Sequence, residues 1–322
     1  MRPGASRRTL LRACLAGALS GRAAVPAKSK VAIARDPMIR RAGSSPDSTR
    51  LLLLLDRAVQ SVYDADSPSA AWKKIARPGE TVGLKVNCLA GRGSASTSPV
   101  LVEAICERLQ QAGVRQQDLI VWDRLTADME HAGFPVTARK DRIRYLGNDA
   151  AGYETDLAIF GSVGSLLSRT ITQICDAVIN LPVLKDHGIV GVTMALKNLF
   201  GAIHNPNKYH LDTGDPYVAD VYMLSPIRQK VRLTICEAVS PQFEGGPSYM
   251  PQWAWPFNGV IVSRDPVALD YIGWQIIEQK RAEQGLPTLR HERREPVYIA
   301  RAADAQHRIG TNDPAAIDRV EI

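Results

Sequence analysis

Short β-branched runs alternating with helical patterns dominate the polarity pattern of this chain of 322 residues. VAIARD (31–36), TVGLKVN (81–87), DLIVWD (118–123), AVINLPVLK (177–185), VRLTICEAV (231–239) and GVIVSRD (259–265) read as buried strands. Between them, PVLVEAICERLQQAG predicts a helix with Ser98 as N-cap, Pro99 at the first position and Gly113 just past the end. DPVALDYIGWQIIEQKRAEQG predicts another, starting after Arg264 and closing at Gly285. Strands alternating with helices imply an α/β fold, a mostly parallel sheet with helices on both faces. No repeat of solenoid length is present, and the Gly, Pro and Ser-rich segments 41–49, 91–99 and 204–216 read as loops too short to divide domains. Residues 28–322 are therefore expected to form a single α/β domain.

The carboxyl ends of these runs are polar: Lys85 and Asn87, then Asp123, Lys185, Glu237, and Arg264 with Asp265. Ligands of open parallel sheets bind outside the carboxyl ends of the strands, so these side chains are expected to converge on one site. The stretch LPVLKDHGIVGVTMALKNLFG (181–201) adds to this expectation. It predicts a strand ending at Lys185, a turn at DHGIVG and a short apolar helix over VTMALKNLFGAI that carries Lys197 and Asn198. Polar groups on so apolar a helix need partners inside the protein or an anionic ligand. Snorkelling of Lys197 to water is the alternative.

Charge changes the picture only at the amino terminus. The formal net charge is +7, but SRRTLLR (6–12) followed by ACLAGALSG resembles a twin-arginine export signal, with a small-residue cleavage site at Val25-Pro26-Ala27. Residues 1–27 hold five arginines and no acid, so removing them lowers the net charge from +7 to +2. That small excess argues against a nucleic-acid partner. The expected location is periplasmic or otherwise extracytoplasmic, with the twin-arginine translocase as partner during export; a basic leader without an address is the alternative. Outside the signal no run reaches the roughly 18 apolar residues of a membrane span, and LLLLL (51–55) falls far short.

Cysteine usage excludes one class of chemistry. Cys14 lies in the signal, and Cys88, Cys106, Cys175 and Cys236 form no CxxC pair, so no iron–sulfur cluster is expected. Cys106 shares a helical face with Val102, Ile105 and Leu109, as a core residue would; a disulfide between distant cysteines stays open. The loop NCLAGRGSASTSP, ahead of the helix capped by Ser98, offers Ser94, Ser96, Thr97 and free backbone N–H groups to a phosphate or carboxylate. It has neither the Gly-Lys-Ser/Thr of a Walker A loop nor the third glycine of a dinucleotide fingerprint. His204, His210, Asp212 and Asp215 share one loop, in an order that would suit a divalent metal, although loop histidines are more often solvated or hydrogen-bonded; no metal is assigned. FEGGPSYMPQWAWP (243–256) reads as a lid or as a packed surface loop.

Taken together, the LKNLFG helix after a lysine-bearing strand end (Lys185, His187, Thr193, Lys197, Asn198, Gly201), the KVN strand (Lys85, Asn87), His210, the Gly246-Pro247 turn and DPVALD (Asp265, Asp270) resemble the DUF362 family. Many relatives of that kind look like redox proteins with added ferredoxin-type clusters; this chain lacks such a cluster, and the family brings no reaction with it. The expected function is binding of an anionic small molecule or cofactor, of unassigned identity, between Lys85, Lys185 and Lys197. Asn87, Asn198, Ser94, Ser96, Thr97 and Asp265 are expected to assist, and Asp270 to orient or face a metal. His187, His210 and Lys197 are the candidates for proton transfer, the imidazoles because they titrate nearest neutral pH. The alternative is a non-catalytic accessory protein that serves a redox partner in an exported complex.

Overall fold

The computed structural model describes residues 28–40, 45–93 and 95–322; the segment expected to be an export signal and Ser94 lie outside them. Twelve strands are found among these residues: β1 (Ser29–Arg35), β2 (Val82–Lys85), β3 (Leu119–Asp123), β4 (Arg144–Gly147), β5 (Tyr153–Phe160), β6 (Val163–Ser168), β7 (Ala177–Asn180), β8 (Val183–His187), β9 (Gly191–Thr193), β10 (Val231–Gln242), β11 (Gly259–Ser263) and β12 (Ile317–Glu321). Ten make one sheet in the order β12-β1-β11-β10-β7-β2-β3-β4, with β8 added to β10 and β9 to β8. β5 and β6 form a separate antiparallel hairpin.

From β10 to β4 every neighbour on that path is parallel, as the alternation with helices implies. β11 runs antiparallel to both β10 and β1. Both faces are covered, which explains why the strands read as continuous apolar runs. In β1, Val31 and Ile33 enter one core while Ala32 and Ala34 enter the other. The first core is completed by Val267, Ile276 and Ile277 of the helix Pro266–Glu283 and by Val218 and Val221. The second takes Leu51, Leu55 and Val59 of the helix Ser48–Val62 and Leu101, Ile105 and Leu109 of the helix Pro99–Gln111. Both helices foreseen in the sequence start at their expected caps: Ser98 Oγ accepts from Leu101 N, and Asp265 accepts from Val267 N and Ala268 N. LLLLL belongs to the amphipathic helix Ser48–Val62, and no helix among the described residues is long and apolar enough to cross a membrane.

The expected single strand AVINLPVLK is two strands. At Leu181-Pro182 the chain changes neighbours: Leu181 N donates to Lys85 O (2.7 Å), and Pro182 O accepts from Glu237 N (2.8 Å). Proline has no N–H to continue a ladder. The chain then leaves β7, between β2 and β10, and continues as β8 beside β10. Val192 and Thr193, expected to start the helix, instead pair back onto β8 as β9. The helix is thereby shortened to Ala195–Asn198, followed by a 3-10 turn over Leu199–Ala202.

Candidate functional site

A cavity of about 540 Å³ opens where β2, β3 and β8 end, against the Ala195–Asn198 helix. Lys85, Asn87, Lys185, His187, Lys197, Asn198 and His210 all line it. The convergence expected from the strand ends is therefore present for Lys85, Asn87, Asp123 and Lys185 but not for Glu237, Arg264 and Asp265, and the three lysines differ in state. Lys85 Nζ is 2.7 Å from Asp123 Oδ1 and also donates to Val86 O, so it forms a buried ion pair. Lys185 Nζ donates to Ala95 O (2.7 Å), Pro247 O (3.1 Å) and Asn87 Oδ1 (3.2 Å), clasping the glycine loop to the Gly246-Pro247 turn. Lys197 Nζ has no hydrogen-bond acceptor and no carboxylate partner among the described residues; it sits 4.0 Å above the Phe200 ring. Three uncompensated ammonium groups thus reduce to one, with a second held only by neutral oxygens.

Burial makes this costly for the cations. Desolvation first, then Lys185, Lys85 and Arg124, lowers the Lys197 ammonium to about 7. Desolvation lowers Lys185 to about 8, opposed by Asp186 and Asp123. His187 is lowered to about 2 by burial and then by Lys197 and His210. Its Nδ1 accepts from Ile189 N (3.1 Å) and Val190 N (3.4 Å), which leaves the proton on Nε2. His187 is thus a neutral donor rather than the titrating base expected of it, and the group poised near neutrality is Lys197. His210 stacks on His187 with centroids 5.4 Å apart, and its pKa is lowered by burial and by Lys197. A carbonyl only accepts, so its 3.1 Å contact with Asn207 O places the proton on Nδ1 and leaves the Nε2 lone pair free.

The backbone behind these groups is fixed by amides and one acid. Asn198 Nδ2 donates to Asn180 Oδ1 (2.8 Å) and Lys85 O (3.3 Å), while its Oδ1 accepts from Asn87 Nδ2 (3.1 Å). Asn87 and Asn198 therefore serve as scaffold, with their polar atoms consumed internally. Asp270, fully buried, accepts from Ala195 N (2.7 Å) and Leu196 N (3.1 Å) and so holds the turn that presents Lys197. Burial pushes its carboxyl up to about 8 against those two donors. At Gly201 a Cβ would lie 2.5 Å from Lys85 Cε and 2.9 Å from Asp123 Oδ1, so only glycine leaves room for the ion pair.

Other expected members lie elsewhere. Asp265 caps its helix and accepts from Ser29 Oγ and Thr311 N. The antiparallel direction of β11 carries Arg264 and Asp265 to the opposite edge of the sheet from the ends of β2 and β3. Ser96 and Thr97 border a second cavity together with Glu237. Thr97 Oγ1 is engaged by Asn87 N and Leu181 O. The helix start expected to bind an external anion is occupied internally, because Glu237 Oε2 accepts from Ser98 N at 2.7 Å. The loop 204–216 does not gather its ligands: His204 packs edge-on to Tyr153, Asp215 pairs with Arg301, and no group of three metal-binding side chains occurs among the described residues. In 243–256 the aromatic side chains pack on one another, Phe243 against Trp253 and Trp255, and only Gly246 and Pro247 reach the lysine cavity. Cys88, Cys106, Cys175 and Cys236 are free and buried.

Residues 82–275 match the model of the family described as Domain of unknown function (DUF362). The chain belongs to the DUF362 family. The matched segment runs from β2 into the helix that carries Asp270, so it contains every residue of the lysine cavity. The thylakoid-associated protein sll1697 of Synechocystis sp. is 26% identical over 258 residues, 77% of this chain and 74% of that protein. A Thermotoga maritima protein of known crystal structure superposes with a TM-score of 0.45 at 9% identity, covering 76% of this chain and 61% of that one, a likeness too loose to carry an argument.

Among the lining residues of this DUF362 cavity that escaped the sequence reading as site members are Thr193, Arg124 and Asp128. Thr193 Oγ1 is buried with no hydrogen-bond partner. It appeared in the sequence only as part of the family pattern, because its position was assigned to a helix. Arg124 follows the strand-end Asp123, makes no close ion pair among the described residues, and acts electrostatically on Asp128, a carboxylate in the same wall. Leu89, Phe200, Pro206 and Pro247 supply the apolar part of the wall.

Proposed function

We propose that this chain is an exported DUF362 protein that binds an anionic small molecule in the lysine cavity, with Lys197 and His210 moving a proton and His187 donating through Nε2–H. The observation that carries this reading is the pairing of two groups in one cavity, the Thr193 hydroxyl, buried with no partner, and the ammonium of the largely buried Lys197, which has no hydrogen-bond acceptor among the described residues. Burying an unpaired cation costs several kcal/mol, and an anionic guest offsets that cost. Lys185, held by neutral oxygens, and Arg124 add positive charge to the same wall, against the lining carboxylates Asp128, beside Arg124, and Asp123, paired with Lys85. The signal-like SRRTLLR supports export by the twin-arginine route, and the thylakoid-associated relative supports a place at or beyond a membrane.

A second reading, an accessory protein of an exported redox complex, is favoured by Leu89 and Ile189, which remain 55% and 52% exposed at the cavity wall. One preparation separates the two. The protein is purified from a host with a working twin-arginine pathway, denatured, and its released small molecules are identified by mass spectrometry beside its absorbance spectrum. A stoichiometric anion, lost in Lys197→Ala with the circular dichroism unchanged, supports the binding reading. An empty protein that copurifies with one stable partner supports the accessory role and overturns the first.

A further inference from the structure

We propose that Lys197 is an amine nucleophile that captures the carbonyl carbon of a small oxo acid as an imine; this rests on the anion-binding reading and names the ligand class.

Geometry separates Lys197 from its neighbours. Lys85 is locked to Asp123 and Lys185 to three oxygens, so neither amine has a free lone pair to offer. Lys197 alone of the three is unbonded, and Phe200 holds its Nζ over an aromatic face rather than beside a counter-charge. Its setting, desolvated and beside other cations, is the one that favours a neutral, nucleophilic amine. Conversion to a neutral imine also removes the cation that burial disfavours.

The cavity holds the remaining parts of the chemistry. The Nζ lone pair attacks the carbonyl carbon, and the carbonyl π bond becomes a hydroxyl. Nitrogen releases two protons in turn through the free Nε2 of His210: the first completes the hydroxyl of the carbinolamine, and the second, given up as the C=N bond forms, lets that hydroxyl depart as water. Nothing is oxidised or reduced. The neutral His187, with its proton on Nε2, hydrogen-bonds the oxygen without titrating. The carboxylate of the oxo acid finds Arg124, free of internal ion pairs among the described residues, and the unpartnered Thr193 hydroxyl.

Glyoxylate, the smallest anionic aldehyde, is the probe. The mature protein is incubated with glyoxylate and cyanoborohydride near neutral pH, and the carboxymethylated lysines are mapped by peptide mass spectrometry, with glycolate as the competitor that lacks a carbonyl. Glycolate binding is followed separately by saturation-transfer NMR. The expected result is labelling of Lys197 about tenfold or more faster than the exposed Lys73 and Lys140, since a lowered pKa enlarges the unprotonated fraction. Glycolate should suppress that labelling, and Lys185 should stay unmodified. Labelling spread over exposed lysines while glycolate still binds would overturn the imine and leave the anion site standing. Absence of both labelling and glycolate binding would overturn both.

Discussion

Replacing Lys197 by Met removes an ammonium that the fold buries without a partner, and it should stabilise the protein at low pH. Met fills a similar volume and is tolerated in irregular apolar surroundings such as those beside Phe200. In the folded protein the Lys197 ammonium is lowered from 10.5 to about 7, chiefly by desolvation. At about 1.4 kcal/mol per pH unit, that gap corresponds to roughly 5 kcal/mol. The unfolded chain keeps its proton up to the higher value while the folded protein releases it near the lower one. Between pH 7 and 10.5 the unfolded state thus binds more protons, and wild-type stability rises with pH across that window. Below pH 7 both states are protonated and the burden is at its full size. Urea unfolding of wild type and Lys197→Met should therefore differ by several kcal/mol in favour of the variant at about pH 6, with the difference shrinking as pH approaches 10. A variant less stable than wild type at pH 6, or a gap that does not change with pH, would refute the claim that this cation is uncompensated.

Two further substitutions test the scaffold. Gly201→Ala places a methyl 2.5 Å from Lys85 Cε and should cost about 1–3 kcal/mol by overpacking, visible as a lower urea midpoint with an unchanged slope. Asp270→Ala strips the acceptor from two buried backbone donors, Ala195 N and Leu196 N, at about 1–3 kcal/mol each. Hydrogen exchange should then accelerate first at those two amides, and protection equal to wild type there would show that the acid does not hold the turn.

The parallel part of the sheet and two of its three long helices were legible because burial on both faces leaves unbroken β-branched runs, and Ser98-Pro99 and Asp265-Pro266 are strong helix starts. The gathering of Lys85 and Lys185 was legible from strand ends, and that of Lys197 from a charged group set on an otherwise apolar helix. Three things were not. The reversed direction of β11 leaves no trace in GVIVSRD, which reads the same in either orientation, and this misplaced Asp265. The break at Pro182 was visible as a residue, but its meaning depends on which strand comes to lie alongside. Finally, pairing is a matter of three dimensions: nothing along the chain says that Asp123 neutralises Lys85 or that Glu237 fills the helix start at Ser98.

The position of β1 in the sheet has a consequence for biosynthesis. The first described strand lies between β11 and β12, which are formed by residues 259–263 and 317–321, so both of its neighbours come from far along the chain. Until those segments are made, Val31 to Ala34 lack the hydrogen-bonding neighbours they have in the finished sheet. This part of the sheet can close only after β12 has been synthesised, and a route that carries the folded protein would have to act later than that.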